Sequence, residues 1–154
     1  MTRTFLSFVL LLGACNTTDT VTAPSTTAAQ RQNSSWRVEI TSSGGFAGRG
    51  LGSVSIENGT LEARNMNAQI CDGAPLSDAE RTEMQRLVDA ARPAAWQNRE
   101  PAPGGADMVE YTLTLRRDSA TKTVTWTGED MTQLPSDLAA LFETTWRIRG
   151  RACN

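Results

Sequence analysis

Short segments in which hydrophobic and polar residues alternate predict five β-strands in this chain. The predicted strands lie at 36–40, 51–57, 60–66, 109–116 and near 124–126. Asn58-Gly59 separates the second from the third, and such a pair favours a two-residue hairpin turn because both positions accept a positive φ. A period of two places alternate side chains on opposite faces, so each strand is expected to be buried on one face only.

Two other segments carry hydrophobic residues at helical spacing. The first opens at Ser77, whose hydroxyl can form a capping box with Glu80, and it ends before Pro93. The second begins around Pro135 or Ser136. The apolar stripes consist of Met84, Leu87, Val88 and Ala91 in the first helix, and of Leu134, Leu138, Leu141, Phe142 and Thr145 in the second.

The predicted order is therefore three strands, a helix, two strands and a helix. No strand is apolar on both faces, which favours a mostly antiparallel sheet of about five strands. We expect both helices to cover one face of this sheet, giving an α+β domain over residues 36–154.

A glycine-rich segment follows the first predicted strand and is predicted as an exposed loop over 42–50. It reads Ser43-Gly44-Gly45-Phe46-Ala47-Gly48, so one aromatic residue stands in a loop with little apolar mass to pack against. Phe46 either turns inward to cap the sheet, with the glycines forming a bulge or tight turn, or it is offered to a pocket of a partner. Arg49 would then be available for a carboxylate of that partner.

A second exposed loop is predicted over 97–106, where proline and glycine are frequent. Carboxylates stand near its end, at Asp107 and Glu110, and a further one is Glu129. Nothing in their sequence context indicates the burial that tunes a catalytic acid, so they are interpreted as solvated surface groups.

The first fourteen residues predict a bacterial lipoprotein signal peptide, in which Arg3 precedes a short apolar run. Leu12-Gly13-Ala14-Cys15 matches the pattern of a lipobox, so Cys15 is the expected site of lipidation and the bacterial cell envelope is the expected location. The alternative is an ordinary signal peptide that leaves Cys15 as a plain thiol. Residues 16–35 are rich in Thr, Ser and Ala without apolar periodicity, which predicts a flexible tether.

Two further cysteines, Cys71 and Cys153, remain in the predicted domain. In an oxidising envelope compartment a disulfide between them is favoured over a metal site or a reactive thiol. The chain contains no histidine, which excludes Ser-His-Asp and Cys-His catalytic arrangements and histidine zinc motifs. Removal of Arg3 with the signal changes the formal net charge from −2 to −3, a balance that argues against nucleic-acid binding.

Five segments of the predicted domain, taken in order, resemble the emfourin family. Emfourin is a protein inhibitor of the thermolysin-like metallopeptidase protealysin. The five segments are Ser43-Gly44-Gly45-Phe46-Ala47-Gly48, Leu76-Ser77-Asp78-Ala79-Glu80, Pro103-Gly104-Gly105-Ala106-Asp107, Tyr111-Thr112-Leu113 and Leu134-Pro135. The similarity extends over essentially all of the chain from Trp36 onward. The lipobox with its tether and the pair Cys71 and Cys153 depart from the family pattern.

This resemblance implies a small protein without enzymatic activity or cofactor that occupies the substrate cleft of thermolysin-like zinc metallopeptidases. Such enzymes favour a large apolar residue after the scissile bond, which suits Phe46, and Asp107 offers an oxygen ligand for the catalytic zinc. The expected binding residues are Ser43, Gly44, Gly45, Phe46, Ala47, Gly48, Arg49 and Asp107. We expect a monomeric domain held at the membrane by its lipid. The alternative function is that of a structural or adaptor lipoprotein with no protease target.

Overall fold

The computed structural model describes residues 35–45, 48–99, 107–128 and 131–154. These residues belong to a compact unit spanning Asn33–Asn154. The predicted signal peptide, Cys15, most of the tether, Phe46, Ala47 and Glu129 lie outside the described residues, as does 100–106 of the second loop.

Five strands form one antiparallel sheet. They are β1 (Trp36–Gly44), β2 (Ser53–Glu57), β3 (Thr60–Arg64), β4 (Val109–Arg117) and β5 (Ala120–Thr127). Their spatial order is β3-β2-β1-β4-β5, and every neighbouring pair is antiparallel. Asn58 and Gly59 have φ values of 47° and 87° in the turn between β2 and β3, so the predicted hairpin is confirmed.

In the part of the chain that the structure describes, two α-helices complete the fold, α1 (Asp78–Ala90) and α2 (Ser136–Ala152). The predicted capping box is present: the Glu80 backbone N–H donates to Ser77 Oγ over 3.2 Å, and the Ser77 N–H donates to Glu80 Oε2 over 2.9 Å. A 3-10 turn at Pro93–Ala95 follows α1, and another at Met131–Gln133 precedes α2. The order βββαββα and the α+β class predicted from the sequence are therefore confirmed.

The sheet buries one face under the helices and leaves the other polar. Alternate strand residues such as Val38, Ile40 and Leu113 are fully buried and pack with the apolar stripes of α1 and α2. The opposite face carries threonine, serine, glutamate and arginine, and includes the hydrogen-bonded pair Thr114 and Thr123. No helix in the described part of the chain is long and apolar enough to cross a membrane.

The two ends of the sheet differ in what lies there. At the end that we call the hairpin end, β1 begins beside the end of β4, with Trp36 opposite Arg117. There the Ser35 N–H donates to Asp118 Oδ1 over 3.2 Å, and the Asp118 N–H donates to the Ser35 carbonyl over 2.8 Å. Helix α1 lies over this end through a 2.7 Å bond from Trp36 Nε1 to Gln85 Oε1. At the opposite end, which we call the loop end, β1 finishes and β4 starts. The chain therefore enters the domain at one end and makes its glycine-rich loop at the other.

Both outer strands are partly covered at their free edges. Beside β5, the Arg99 N–H donates to the Thr125 carbonyl over 2.9 Å, and the Thr125 N–H donates to the Asn98 side chain over 3.2 Å. Beside β3, the Cys71 N–H donates to the Ala63 carbonyl over 2.9 Å. These bonds use backbone groups that an edge strand otherwise leaves open.

Candidate functional site

The glycine-rich loop is displaced from the predicted 42–50, because β1 continues to Gly44 and β2 begins at Ser53 instead of 51. Ser43 and Gly44 pair with Glu110 and Val109 of β4 and are strand residues. A serine-glycine pair has low intrinsic strand propensity, so this extension depends on the long partner strand, which local sequence does not reveal. The connection between strands therefore spans residues 45–52.

Hydrogen bonds close the base of this connection tightly. Ser42 Oγ accepts the Leu51 N–H over 2.8 Å and donates to the Gly52 carbonyl over 2.7 Å. The Gly50 N–H donates to the Gly44 carbonyl over 2.8 Å. A chain held this way from both sides has lost much of its conformational freedom before it meets any partner.

Two glycines are required by the geometry of the loop base. Gly44 has a φ of 78°, and a Cβ there would lie 2.6 Å from the Met108 carbonyl oxygen. Gly50 has a φ of 65°, and a Cβ there would collide with the backbone of Ser42. Only glycine combines a positive φ with such close approach of two backbones. For Gly44, the expectation of a bulge or tight turn thus has structural support.

The second predicted loop returns to the sheet at the same end. The Gly45 N–H donates to the Met108 carbonyl over 3.1 Å, next to the pairing of Gly44 with Val109. Asp107 is exposed directly before Met108. The structure therefore brings Gly45 and Asp107 to one end of the sheet, and the residues described between 107 and 110 border the glycine-rich loop.

Charged groups at the loop end are available to a partner. Arg49 is exposed and forms a backbone bridge with Gly44, and its guanidinium has no hydrogen bond or ion pair with any residue that the structure describes. Gly48 is exposed beside it. Ser43 Oγ lies 3.4 Å from Glu110 Oε1 on the polar face. Among the described residues, no group of three His, Cys, Asp or Glu side chains is placed to hold a metal ion.

The model of the emfourin family matches residues 40–145 of the chain. The chain belongs to the emfourin family. Emfourin domains are inhibitors of metallopeptidases, so the resemblance noted from the sequence is confirmed. No curated protein and no solved structure matches the chain.

The emfourin match ends at Thr145, and side chains with clear structural roles lie beyond it, Arg149 and Cys153 among them. Arg149 on α2 donates to the Leu51 carbonyl and, over 3.2–3.3 Å, to the Arg64 carbonyl. It therefore joins the ends of the glycine-rich loop and of β3. Its guanidinium also lies 4.7 Å from the centre of the Trp146 ring, a cation–π contact. Burial lowers the pKa of Arg149, although Tyr111 acts in the opposite direction.

Sequence reasoning missed Arg149. A basic residue in the last turn of an amphipathic helix is expected for helix-dipole reasons alone, and nothing local distinguishes it from Arg151. What gives Arg149 its role is the arrival of two carbonyl groups from distant strands, which only the folded topology provides.

Cys153 also lies beyond the emfourin match and forms the predicted disulfide with Cys71. Their Cα atoms are 5.0 Å apart. The bond connects the end of α2 to the segment that follows β3. It therefore fastens the loop end of this emfourin domain at the β3 edge of the sheet.

Proposed function

We propose that this emfourin domain inhibits thermolysin-like zinc metallopeptidases by placing its glycine-rich loop and Asp107 at the substrate cleft, and that a lipid on Cys15 anchors it to the bacterial envelope. The observation that supports the proposal best is the 3.1 Å hydrogen bond from the Gly45 N–H to the Met108 carbonyl. It joins the two segments expected to bind the enzyme at one end of a rigid sheet.

The loop base is suited to inhibition because it is preorganised. A segment that already has its bound conformation loses little entropy on binding, and more of the contact energy appears as affinity. A loop held from both strands also resists the rearrangement that cleavage of its peptide bonds requires. The bonds of Ser42 to Leu51 and Gly52 supply this restraint.

Side chains of the two loop segments match the chemistry of such a cleft. Phe46 has the large apolar side chain that the enzyme favours beyond the scissile bond, Arg49 suits a carboxylate of the enzyme, and Asp107 offers an oxygen for the catalytic zinc. The proposed binding residues remain Ser43, Gly44, Gly45, Phe46, Ala47, Gly48, Arg49 and Asp107.

The proposed lipid anchor would leave the loop end of the domain free to meet an enzyme. Ser35 lies at the hairpin end, and the nine residues of β1 separate it from the loop end, a distance of about 30 Å at about 3.3 Å per residue. A lipid attached through residues 16–34 would therefore pull on the end of the domain that is remote from the proposed inhibitory surface. We propose that the inhibitory surface faces away from the membrane.

The test is a titration of the purified chain against a panel of thermolysin-like metallopeptidases with a peptide substrate. We expect competitive inhibition that weakens in Phe46→Ala, Gly45→Asp, Arg49→Ala and Asp107→Ala. Arg86→Ala and Asp89→Ala remove the same kinds of charge from exposed positions on α1, so they serve as controls and should inhibit normally.

Absence of inhibition at micromolar concentration across the panel would refute the proposal. Capture of a non-peptidase from envelope extracts would then favour the adaptor function. Palmitate labelling of wild type but not of Cys15→Ser would test the anchor separately.

A further inference from the structure

One turn carries the large hydrophobic side chains that are most exposed among the described residues. Met66 and Ile70 are 55% and 60% exposed, and both belong to the turn that follows β3, which we call the 65–70 turn. Single exposed hydrophobic residues are common on protein surfaces, whereas two in one short turn form a patch. The patch adjoins the proposed inhibitory surface.

The 65–70 turn is held in shape by its own hydrogen bonds. Asn65 Oδ1 accepts the backbone N–H groups of Asn67 and Gln69 over 2.9 and 3.2 Å, while the Asn65 N–H donates to the Gln69 carbonyl over 3.0 Å. Ala68 has a φ of 60°, and its carbonyl accepts from Arg64 Nη1 over 3.1 Å. The two hydrophobic side chains therefore project from a backbone that is already ordered.

The turn is also fixed at its end. Ile70 forms an antiparallel bridge with Arg64, and the next residue, Cys71, is bonded to Cys153 at the end of α2. Residues that stand opposite each other in an antiparallel pair share a face of the sheet, and the Arg64 side chain pairs with Glu62 on the polar face. Ile70 therefore lies outside the core, on the side of the sheet that the helices leave open.

The position of the 65–70 turn is continuous with the glycine-rich loop. Arg64 pairs with Ser53, the first residue of β2, and the Arg149 guanidinium joins the carbonyl groups of Leu51 and Arg64. A Cβ on Gly52 would collide with the Arg64 carbonyl, so the two segments are in backbone contact. Both lie at the loop end of the sheet.

We propose that the 65–70 turn is a second contact element of the inhibitory surface, with Met66 and Ile70 buried against an apolar wall beside the metallopeptidase cleft. This inference rests on the proposed function. Stable interfaces bury on the order of 800 Å² on each partner and take most of their energy from a few well-buried anchors. In the described part of the glycine-rich loop, Leu51 is the large hydrophobic residue, and it packs against the core.

The location of the turn argues against a lipid surface as its partner. The 65–70 turn lies at the loop end, whereas Ser35 leaves the domain at the hairpin end. Net acidic charge in the chain further disfavours attraction to anionic headgroups. A protein partner bound at the loop end meets both the glycine-rich loop and the turn.

The experiment compares inhibition constants of the full chain, with its disulfide formed, against one thermolysin-like metallopeptidase. We expect Met66→Ser and Ile70→Ser each to raise the inhibition constant about tenfold, mainly through faster dissociation. Met66→Leu and Ile70→Val retain apolar surface and should restore most of the affinity. Ala120→Ser changes an exposed residue at the hairpin end and should have no effect. Unchanged thermal unfolding of each variant confirms that the fold is retained.

The outcomes separate this inference from the proposed function. If the serine variants inhibit as well as wild type while Arg49→Ala inhibits more weakly, the role of the turn is overturned and the proposed function stays intact. Lack of inhibition by wild type would overturn both. Binding of wild type to phosphatidylglycerol vesicles that Ile70→Ser abolishes, with no change in inhibition, would assign the turn to lipid and overturn the inference.

Discussion

Removal of the Cys71–Cys153 disulfide should destabilise the domain far more than any surface change. The bond joins residues 82 positions apart, so it closes a loop that contains both helices and strands β4 and β5. In the chain-entropy model a loop of this size restricts the unfolded state by about 4.5 kcal/mol at 25 °C. Domains of this size have total stabilities of roughly 5–15 kcal/mol, so the double variant Cys71→Ser/Cys153→Ser is expected to lose a large share.

Urea unfolding measures this loss directly. We expect the double variant to unfold at much lower urea, with a steeper transition because its unfolded chain exposes more surface. The melting temperature should fall by roughly 15 °C. Reduced wild type should behave like the double variant, which controls for any effect of the serines on packing. A loss below about 1 kcal/mol, or an unchanged slope, would refute the assignment of the effect to the unfolded chain.

Three further predictions concern single residues. Gly50→Ala should lower the free energy of unfolding by about 3 kcal/mol because the new Cβ meets the backbone of Ser42. Gly48→Ala has open space at the same φ of 65°, so it should lower this free energy by only about 1 kcal/mol. Equal losses for the two variants in urea unfolding would contradict this. Arg149→Met should lower the free energy of unfolding by about 2 kcal/mol because two carbonyl groups lose their donor, and it should weaken inhibition. Arg149→Ala should show both effects. Burial opposes ionisation of Asp137, but hydrogen bonds from neighbouring N–H groups lower its pKa overall. The contribution of ionised Asp137 to the free energy of unfolding should therefore be complete above a pH of about 3.9. The stability difference between wild type and Asp137→Asn should disappear as the pH falls through the lowered pKa. A difference that persists in acid would refute this prediction.

Local signals predicted the secondary structure well because each depends on neighbouring residues. The alternation along β4, the Asn58-Gly59 turn and the capping box of Ser77 and Glu80 are all complete within a few positions of the chain. The disulfide was predictable for another reason: with Cys15 expected to carry lipid, two cysteines remained in a compartment expected to be oxidising. Family membership followed from a series of such short segments in a fixed order.

Features that depend on distant segments were not predictable in this way. The extension of β1 to Gly44 requires β4 beside it, and the meeting of Gly45 with Met108 requires the strand order. The role of Arg149 requires two carbonyl groups that are far apart in sequence. The 65–70 turn has no periodicity, and its exposed hydrophobic residues resemble core residues until the fold shows where they lie.

The covered edges of the sheet limit how this domain can associate. The Thr125 N–H and carbonyl are occupied beside β5, and the Ala63 carbonyl is occupied beside β3, so neither outer strand readily accepts an additional strand. If a lipid anchors the domain as proposed, its copies would share a two-dimensional surface, where free sheet edges would promote sheet-to-sheet polymers. Because both edges are partly covered, the copies should tend to stay separate even at high surface density.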